Sequence, residues 1–280
     1  MTARERQGWI LVASLFVTLF LVFGSGYNTT SLFFPQLLKQ FGWSHTRTAS
    51  LTSALALSAG LSGPLIGILL DRVEARAVMI VGIVMTAVAF LVASRAESFP
   101  VMMAAYLLLG IGIAAATLLP AALIVANWFG ARRGIAMGLT FAGTSLGGAV
   151  MTQVGNFAML DLGGWRAAYV TLAAPMLLIA FPLVLLQVRT RPPEASREDF
   201  QASSDALPGL ELAQAFRTRS FWMVSAAQFL FACSAAGAGL HLIHHIINLG
   251  YSQTAAARAM GLVFVSASIG KLGIDRKSVV

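Results

Sequence analysis

Eight apolar stretches, each long enough to cross a lipid bilayer, take up most of this chain and leave no room for a folded soluble domain. A spanning helix needs about 20 mostly apolar residues, and the stretches run over about 9–36, 45–70, 77–94, 99–127, 134–160, 165–187, 221–248 and 252–273. In hydrocarbon every backbone N–H and C=O has to be paired within the structure, so runs of this kind are read as α-helix. With 58% of its residues hydrophobic and 11% charged, the chain reads as an all-α membrane protein. The first stretch follows Arg4 and Arg6 as a signal peptide would. Its apolar run is too long for such a leader and lacks a small-residue cleavage site, so it reads as a retained helix.

Basic residues set the orientation, because Lys and Arg concentrate in cytoplasmic loops. With the N-terminus inside, eleven fall on inner segments (Arg4, Arg6, Arg72, Arg76, Arg132, Arg133, Arg189, Arg191, Arg197, Arg217, Arg219) and five on outer ones (Lys39, Arg47, Arg95, Arg166, Arg258). Trp9, Trp128 and Trp222 then lie at inner boundaries, Trp43 and Trp165 at outer ones, where indoles anchor. The expected location is a bacterial-type inner membrane, crossed many times, with a cytoplasmic N-terminus. The net charge of +8 is spread over short inner loops and forms no patch for nucleic acid. Cys233 stands alone, so no disulfide framework is expected.

The longest polar segment, 188–220, holds Arg191-Pro192-Pro193-Glu194 and Ser203-Ser204-Asp205. It reads as a cytoplasmic loop between a six-helix bundle (1–187) and two further spans (221–273), its end from Leu210 to Phe221 shaped as a short interfacial helix. An internal repeat fits this division. Gly42-Trp43-Ser44-His45-Thr46 follows span one and Gly250-Tyr251-Ser252-Gln253-Thr254 follows span seven, the six-helix offset of a 6+6 duplication. Both are equally explained as capped turns, each Ser standing where the next helix needs an N-cap. On span five, Gly134/Gly138 and Gly143/Gly147 are four apart, which lets helices approach closely in lipid.

After span two the chain reads Gly67-Ile68-Leu69-Leu70-Asp71-Arg72-Val73-Glu74-Ala75-Arg76. This resembles the signature loop of the major facilitator superfamily: a Gly, Asp-Arg four residues on, then a further basic residue. The resemblance implies a gate, made from Gly67, Asp71, Arg72 and Arg76, that closes in one transport state and opens in the other. A solvated loop that only fixes topology is the other reading. Glu74 stands where the family usually has Gly, which leaves the turn and the gate's charge balance open. A narrower resemblance, to the monocarboxylate-porter-like and oxalate/formate-antiporter-like branch, is carried by Phe33-Phe34-Pro35-Gln36-Leu37-Leu38 with Phe41-Gly42-Trp43-Ser44, by Asn127-Trp128-Phe129 with the loop motif Arg132-Arg133-Gly134, and by Gly164-Trp165-Arg166-Ala167-Ala168-Tyr169. It implies a major-facilitator fold, with a complete first six-helix half and two helices of the second.

No Asp or Glu lies inside any span, which disfavours a cation exporter. The membrane does hold Lys271, and an ammonium at that depth is a functional candidate by default. The resemblance makes it the residue that binds a substrate carboxylate; the alternative is a lysine snorkelling from a helix end. His241, His244 and His245 share one face of span seven. The resemblance gives His241 a hydrogen bond to substrate, with interfacial packing as the alternative, and no metal site is expected without a further ligand. Tyr27, Asn28, Thr140, Thr144, Gln153 and Asn156 are polar positions that either line a cavity or bond helix to helix. Relatives with a proton-linked carboxylate would place it at Ala267, and some members have Lys where Asn28 stands, so protons stay open as the coupling ion.

The chain is thus read as a secondary transporter of a small monocarboxylate or related organic anion, working by alternating access, with an oxalate/formate-type exchanger as its rival. A receptor would not need the Asp71 loop. An enzyme is disfavoured, since no Ser/His/Asp set shares one depth, and the reading requires no cofactor. Residues 274–280, with Asp275-Arg276-Lys277-Ser278-Val279-Val280, read as a non-native tail, and residues 1–280 alone are expected not to transport because four spans of a duplicated transporter are absent.

Overall fold

Wherever the sequence runs apolar, the chain is helical. The computed structural model describes residues 3–130, 132–190, 214 and 216–274, with the side chains of residues 3, 4, 236, 240 and 271–274 outside that description. Its helices are α1 (Ala3–Gly26), α2 (Thr30–Phe41), α3 (His45–Arg72), α4 (Ala75–Ser94), α5 (Phe99–Ala116), α6 (Leu118–Trp128), α7 (Arg133–Asp161), α8 (Gly164–Pro175), α9 (Phe181–Gln187), α10 (Arg219–Asn248) and α11 (Gln253–Ile274), with a π turn over Met176–Ala180. Among the described residues seven helical stretches are long and apolar enough to cross a membrane, from Glu5–Phe41 to Arg219–Asn248. The chain is a multi-pass membrane protein. The eighth expected span is occupied by the helix α11.

Three of the expected continuous spans are interrupted. Span one divides at Tyr27–Thr29 into α1 and α2, span four divides at Thr117 into α5 and α6, and span six passes through the π turn that follows Pro175. At Thr117 the backbone turns to φ −122° and ψ −105°, and its hydroxyl donates to the Ile113 carbonyl at 2.7 Å. Elsewhere, buried hydroxyls return their hydrogen bonds to their own helix, Thr18 to Ser14, Thr86 to Gly82 and Thr140 to Ala136, each at 2.8 Å. That is how a polar side chain is tolerated where no water competes.

Glycine sets the closest packing. A Cβ at Gly143 would lie 2.5 Å from the Phe16 carbonyl oxygen, and one at Gly24 would lie 2.6 Å from the Gly147 backbone, so α1 and α7 touch main chain to main chain. The spacing read from span five is used in this way at Gly143 and Gly147. Gly82 on α4 and Gly112 on α5 make a second close contact, at 2.6 Å to the Ala116 nitrogen and 2.8 Å to the Thr86 nitrogen. In contrast, α3 turns Leu57, Leu61, Leu65 and Leu69 outward, one every fourth residue.

The motif blocks meet in space. Phe33 of α2 stacks on Tyr169 of α8 at 3.9 Å between centroids, and Phe41 meets Trp165 at 5.8 Å. The buried Tyr169 hydroxyl bonds that of Tyr106 at 2.9 Å. Asn127 and Trp128 donate to the carbonyls of Thr190 and Arg189 at 3.1 and 2.9 Å, fixing the end of span six against α6. The two copies of the repeat share one geometry. Gly42 and Gly250 have φ of +64° and +91°, which suits glycine, and the hydroxyls of Ser44 and Ser252 accept from the amides of Arg47 and Ala255 at 3.2 Å.

The linker over 188–220 falls mostly outside the described residues. So does the expected interfacial helix; Phe216, at its end, lies in a turn with its ring 4.9 Å from Phe221. The tail after Ile274 is likewise outside them.

Candidate functional site

The break in span one opens onto a cavity of about 580 Å³. Its wall brings together the helices before the linker and the two after it. Phe23, Tyr27, Asn28, Thr30 and Ser31 come from the break, Thr52, Ser53, Leu55 and Ala56 from α3, Gln228 and Phe231 from α10, and Met260 and Phe264 from α11. Among the described residues that line it there is no Lys, Arg, Asp or Glu.

Most of its polar groups are already used. Asn28 donates its amide to the Thr144 carbonyl of α7 at 2.7 Å, which pins the break against that helix. The hydroxyls of Thr30, Thr52 and Ser53 donate to the carbonyls of Tyr27, Ala49 and Ala49. Three groups remain among the described residues. Ser31 has a buried hydroxyl without a partner, and the Tyr27 hydroxyl and the Gln228 amide make no hydrogen bond to any described residue. Of these only Ser31 is buried; a buried unpaired hydroxyl costs on the order of 1–3 kcal/mol until something bonds it, so it is the group on which a ligand gains most.

The polar positions expected from the sequence separate into two sets. Tyr27 and Asn28 line the cavity. Gln153 and Asn156 join α7 to α11: Gln153 donates to the Ala257 carbonyl at 2.7 Å, and Asn156 lies 3.4 Å from the Thr254 hydroxyl. Thr140 bonds only its own helix, to the Ala136 carbonyl, whereas the Thr144 carbonyl receives Asn28. Sequence reasoning misses Ser31, Thr52, Ser53 and Gln228. Gln228 carries a usable signal, a lone amide inside an apolar run.

The backbone of Lys271 lies in α11, seven residues beyond Phe264 and so on the same helix face, with its side chain outside the described residues. His241 is absent from the cavity wall. Its ring sits 5.9 Å from Phe34, which also meets His45 at 6.0 Å and His244 at 5.7 Å, at the Trp43 end of the bundle. His45 comes from the start of α3, a member of that group the sequence does not announce. Among the described residues no three His, Cys, Asp or Glu side chains are placed to hold a metal ion.

The Asp71 segment is helical where the sequence suggests a loop. Gly67 through Arg72 form the last turns of α3, and only Val73 and Glu74 separate them from α4. Glu74 has φ −58° and ψ 130°, open to any residue, so nothing here requires the family's glycine. Asp71 and Arg72 are exposed, and Asp71 makes no ion pair among the described residues. The Arg76 amide donates to the Thr190 hydroxyl at 3.4 Å. Nearby, Arg132 lies 4.0 Å from Glu5, both largely exposed, a pair worth little in water. Arg133 and Gly134 open α7 and are exposed.

Residues 15–278 match the family described as Major Facilitator Superfamily. Monocarboxylate transporter 4 of Gallus gallus is 24% identical over 254 residues, which cover 89% of this chain and 52% of that protein. Monocarboxylate transporter 13 of Bos taurus is 24% identical over 270 residues, or 95% and 60%. The chain spans about half the length of the curated relatives it matches. In fold it is similar to a bacterial homolog of the human lysosomal transporter Spinster, solved in an inward-facing, unoccupied conformation, with a TM-score of 0.75 at 21% identity over 95% of this chain and 61% of that one. With a family match over nearly its whole length and helices arranged as in those neighbours, the chain belongs to the Major Facilitator Superfamily.

Proposed function

We propose that the whole protein is a secondary transporter that carries a small monocarboxylate or related organic anion across the membrane by alternating access. The observation that carries this reading is the cavity where the break in span one faces α3, α10 and α11, because a discontinuous helix at the meeting of two repeats is where transporters of this build hold their cargo. The names of the relatives supply the anion. Lys271, on the face of α11 that carries Met260 and Phe264, is the proposed anchor for the carboxylate, with Tyr27 and Asn28 on the opposite wall. His241, in the cluster around Phe34, has the more distant role of bonding substrate on its way to the cavity. The Trp9 end is proposed to face the cytoplasm, in a bacterial-type inner membrane, on the balance of Lys and Arg between the loops.

The test uses the whole protein, with the further spans that a 6+6 duplication requires, in proteoliposomes. Saturable uptake of a labelled monocarboxylate is expected, and its absence from a correctly folded preparation would end the reading. Acceleration by unlabelled anion inside the vesicles, without dependence on a pH gradient, would transfer it to the oxalate/formate-type exchanger.

The Asp71 segment is proposed as a gate. Asp71 and Arg72 stand exposed at the end of α3, free to form pairs when the halves close on that side. Asp71→Asn is expected to slow initial uptake by about tenfold, because the closed state would then be held by a neutral hydrogen bond in place of a charge-assisted one, with insertion and expression unchanged. An unaltered initial rate would leave the segment as a topology signal only.

A further inference from the structure

We propose that the Trp43 end of the bundle is closed by a clasp of side-chain amides on the first turns of α11, and that cargo passes on that side only when the clasp opens; the gating role rests on the transport reading above, the clasp itself does not. The start of α11 is gripped from two sides. From α2, the Gln36 amide donates to the side-chain oxygen of Gln253 at 2.8 Å, and the Gln253 amide in turn donates to the Met159 sulfur of α7 at 3.1 Å. These bonds run from α2 across α11 to α7. Beside them Thr254 lies 3.4 Å from Asn156, and one turn further the Gln153 amide donates to the Ala257 main-chain carbonyl at 2.7 Å.

Packing keeps competing water low at these bonds. Asn156, Met159, Ala256, Ala257 and Met260 are buried, and a hydrogen bond in such surroundings is electrostatically stronger than the same bond in water. Gly261 leaves room for the grip. A Cβ there would lie 3.1 Å from the Gln153 amide nitrogen, so the missing side chain is the space through which Gln153 reaches α11.

The clasp joins elements from either side of the linker. Both α2 and α7 precede it and α11 follows it, and in a 6+6 duplication these belong to halves that rock against each other during alternating access. Each of the bonds breaks when α11 swings away from α2 and α7. Gln36 and Gln253 can follow one another by turning their side chains, whereas the Ala257 carbonyl is fixed in its helix. Gln153 is therefore the member that a small separation disconnects first. At the other end of the bundle stand the charged Asp71 and Arg72, so the two ends would be held by unlike chemistry.

The experiment uses the whole protein with Cys233→Ser, and reads opening as the rate at which a maleimide labels Met159→Cys, a position that α11 covers. Gln153→Leu keeps the bulk and removes the bond, and is expected to raise that rate by about two- to tenfold, the shift in an open-to-closed ratio that one lost hydrogen bond gives. Gly261→Ala is expected to act in the same direction. Ser94→Cys, buried on α4 away from the clasp, is expected to label at an unchanged rate, which separates opening from general loosening. In a second arm, Gln36→Cys and Gln253→Cys are linked with a short bis-methanethiosulfonate, which is expected to abolish uptake of a labelled monocarboxylate by proteoliposomes until a reductant cleaves the link. An unchanged labelling rate in Gln153→Leu, an equal rise at Ser94→Cys, or cysteines at 36 and 253 that do not link would overturn the clasp. Uptake that continues through the linked pair would overturn its gating role. Absence of uptake in the unlinked protein would instead remove the transport reading and the gating role with it, and the labelling rates would still decide the clasp.

Discussion

Gly147→Val is expected to lower the thermal midpoint of residues 1–280 in detergent by about 10 °C, a large effect for one substitution. A Cβ at this position meets the main-chain carbonyl of Phe20 on α1, and would lie 2.7 Å from the Phe20 Cα. Side chains that collide can rotate away; two helix backbones cannot, and the added methyls of valine deepen the overlap. Overpacking commonly costs about 1–3 kcal/mol, and here the only relief is to separate α1 from α7, which would also break the contact between Gly24 and Gly147. In a chain of this size about 3 kcal/mol corresponds to roughly 6–12 °C. Gly60→Ala is the matched control, since nothing lies within 4 Å of a Cβ there, and removing glycine from a helix interior favours folding by about 0.4–1 kcal/mol. Size-exclusion profiles recorded after heating measure both. A Gly147→Val protein that melts with the wild type would mean that α1 and α7 do not touch in this way.

In the whole protein, Lys271→Gln is expected to weaken anion binding by roughly two- to thirtyfold, the scale on which charged and neutral hydrogen bonds differ. Glutamine, one chain atom shorter, keeps a hydrogen-bond donor but not the charge. A hydrogen bond to a charged group contributes about 1.5–3 kcal/mol where a neutral one gives about 1. His241→Ala is expected to change affinity by no more than about threefold, because His241 belongs to the cluster around Phe34 and not to the cavity wall. Equilibrium binding of a monocarboxylate in detergent measures both variants. Wild-type affinity in Lys271→Gln would assign that lysine to the membrane interface, where its chain can snorkel without touching cargo.

The helices are legible in the sequence because hydrocarbon leaves the backbone no alternative, whereas their interruptions are not. Pro35 and Pro64 lie inside the continuous helices α2 and α3, and the chain breaks at Tyr27–Thr29 with no proline beside it, whereas the break at Thr117 falls one turn before Pro120 and the π turn follows Pro175. In a packed bundle a break can be held by a side chain from within it, as the Asn28 amide donates to the Thr144 carbonyl of α7, so a break need not carry a proline. Glycine is legible where it repeats at four-residue spacing on one helix, as at Gly143 and Gly147. It is not legible at Gly82 and Gly112, where each helix contributes one partner and the match exists only in three dimensions. Polar residues follow the same rule: the sequence marks Gln153 and Asn28 alike as lone amides in apolar runs, and only the packing assigns one to α11 and the other to the cavity. The histidines on span seven share a face as periodicity requires, but His45 joins them from the start of α3.

The interrupted first span also bears on how the protein fits its bilayer. The helical stretch from Glu5 to Phe41 is 37 residues long, about 55 Å if it were straight, against a hydrocarbon core of about 30 Å. An unbroken rod would have to tilt steeply or thicken the lipid around it, at a cost that rises with every ångström of mismatch. The turn at Tyr27–Thr29 divides that length in two. The α1 segment alone is close to the length that the hydrocarbon requires, and α2 is free to take its own angle against α3 and α8. The length of this one apolar run therefore says little about which membrane the protein prefers.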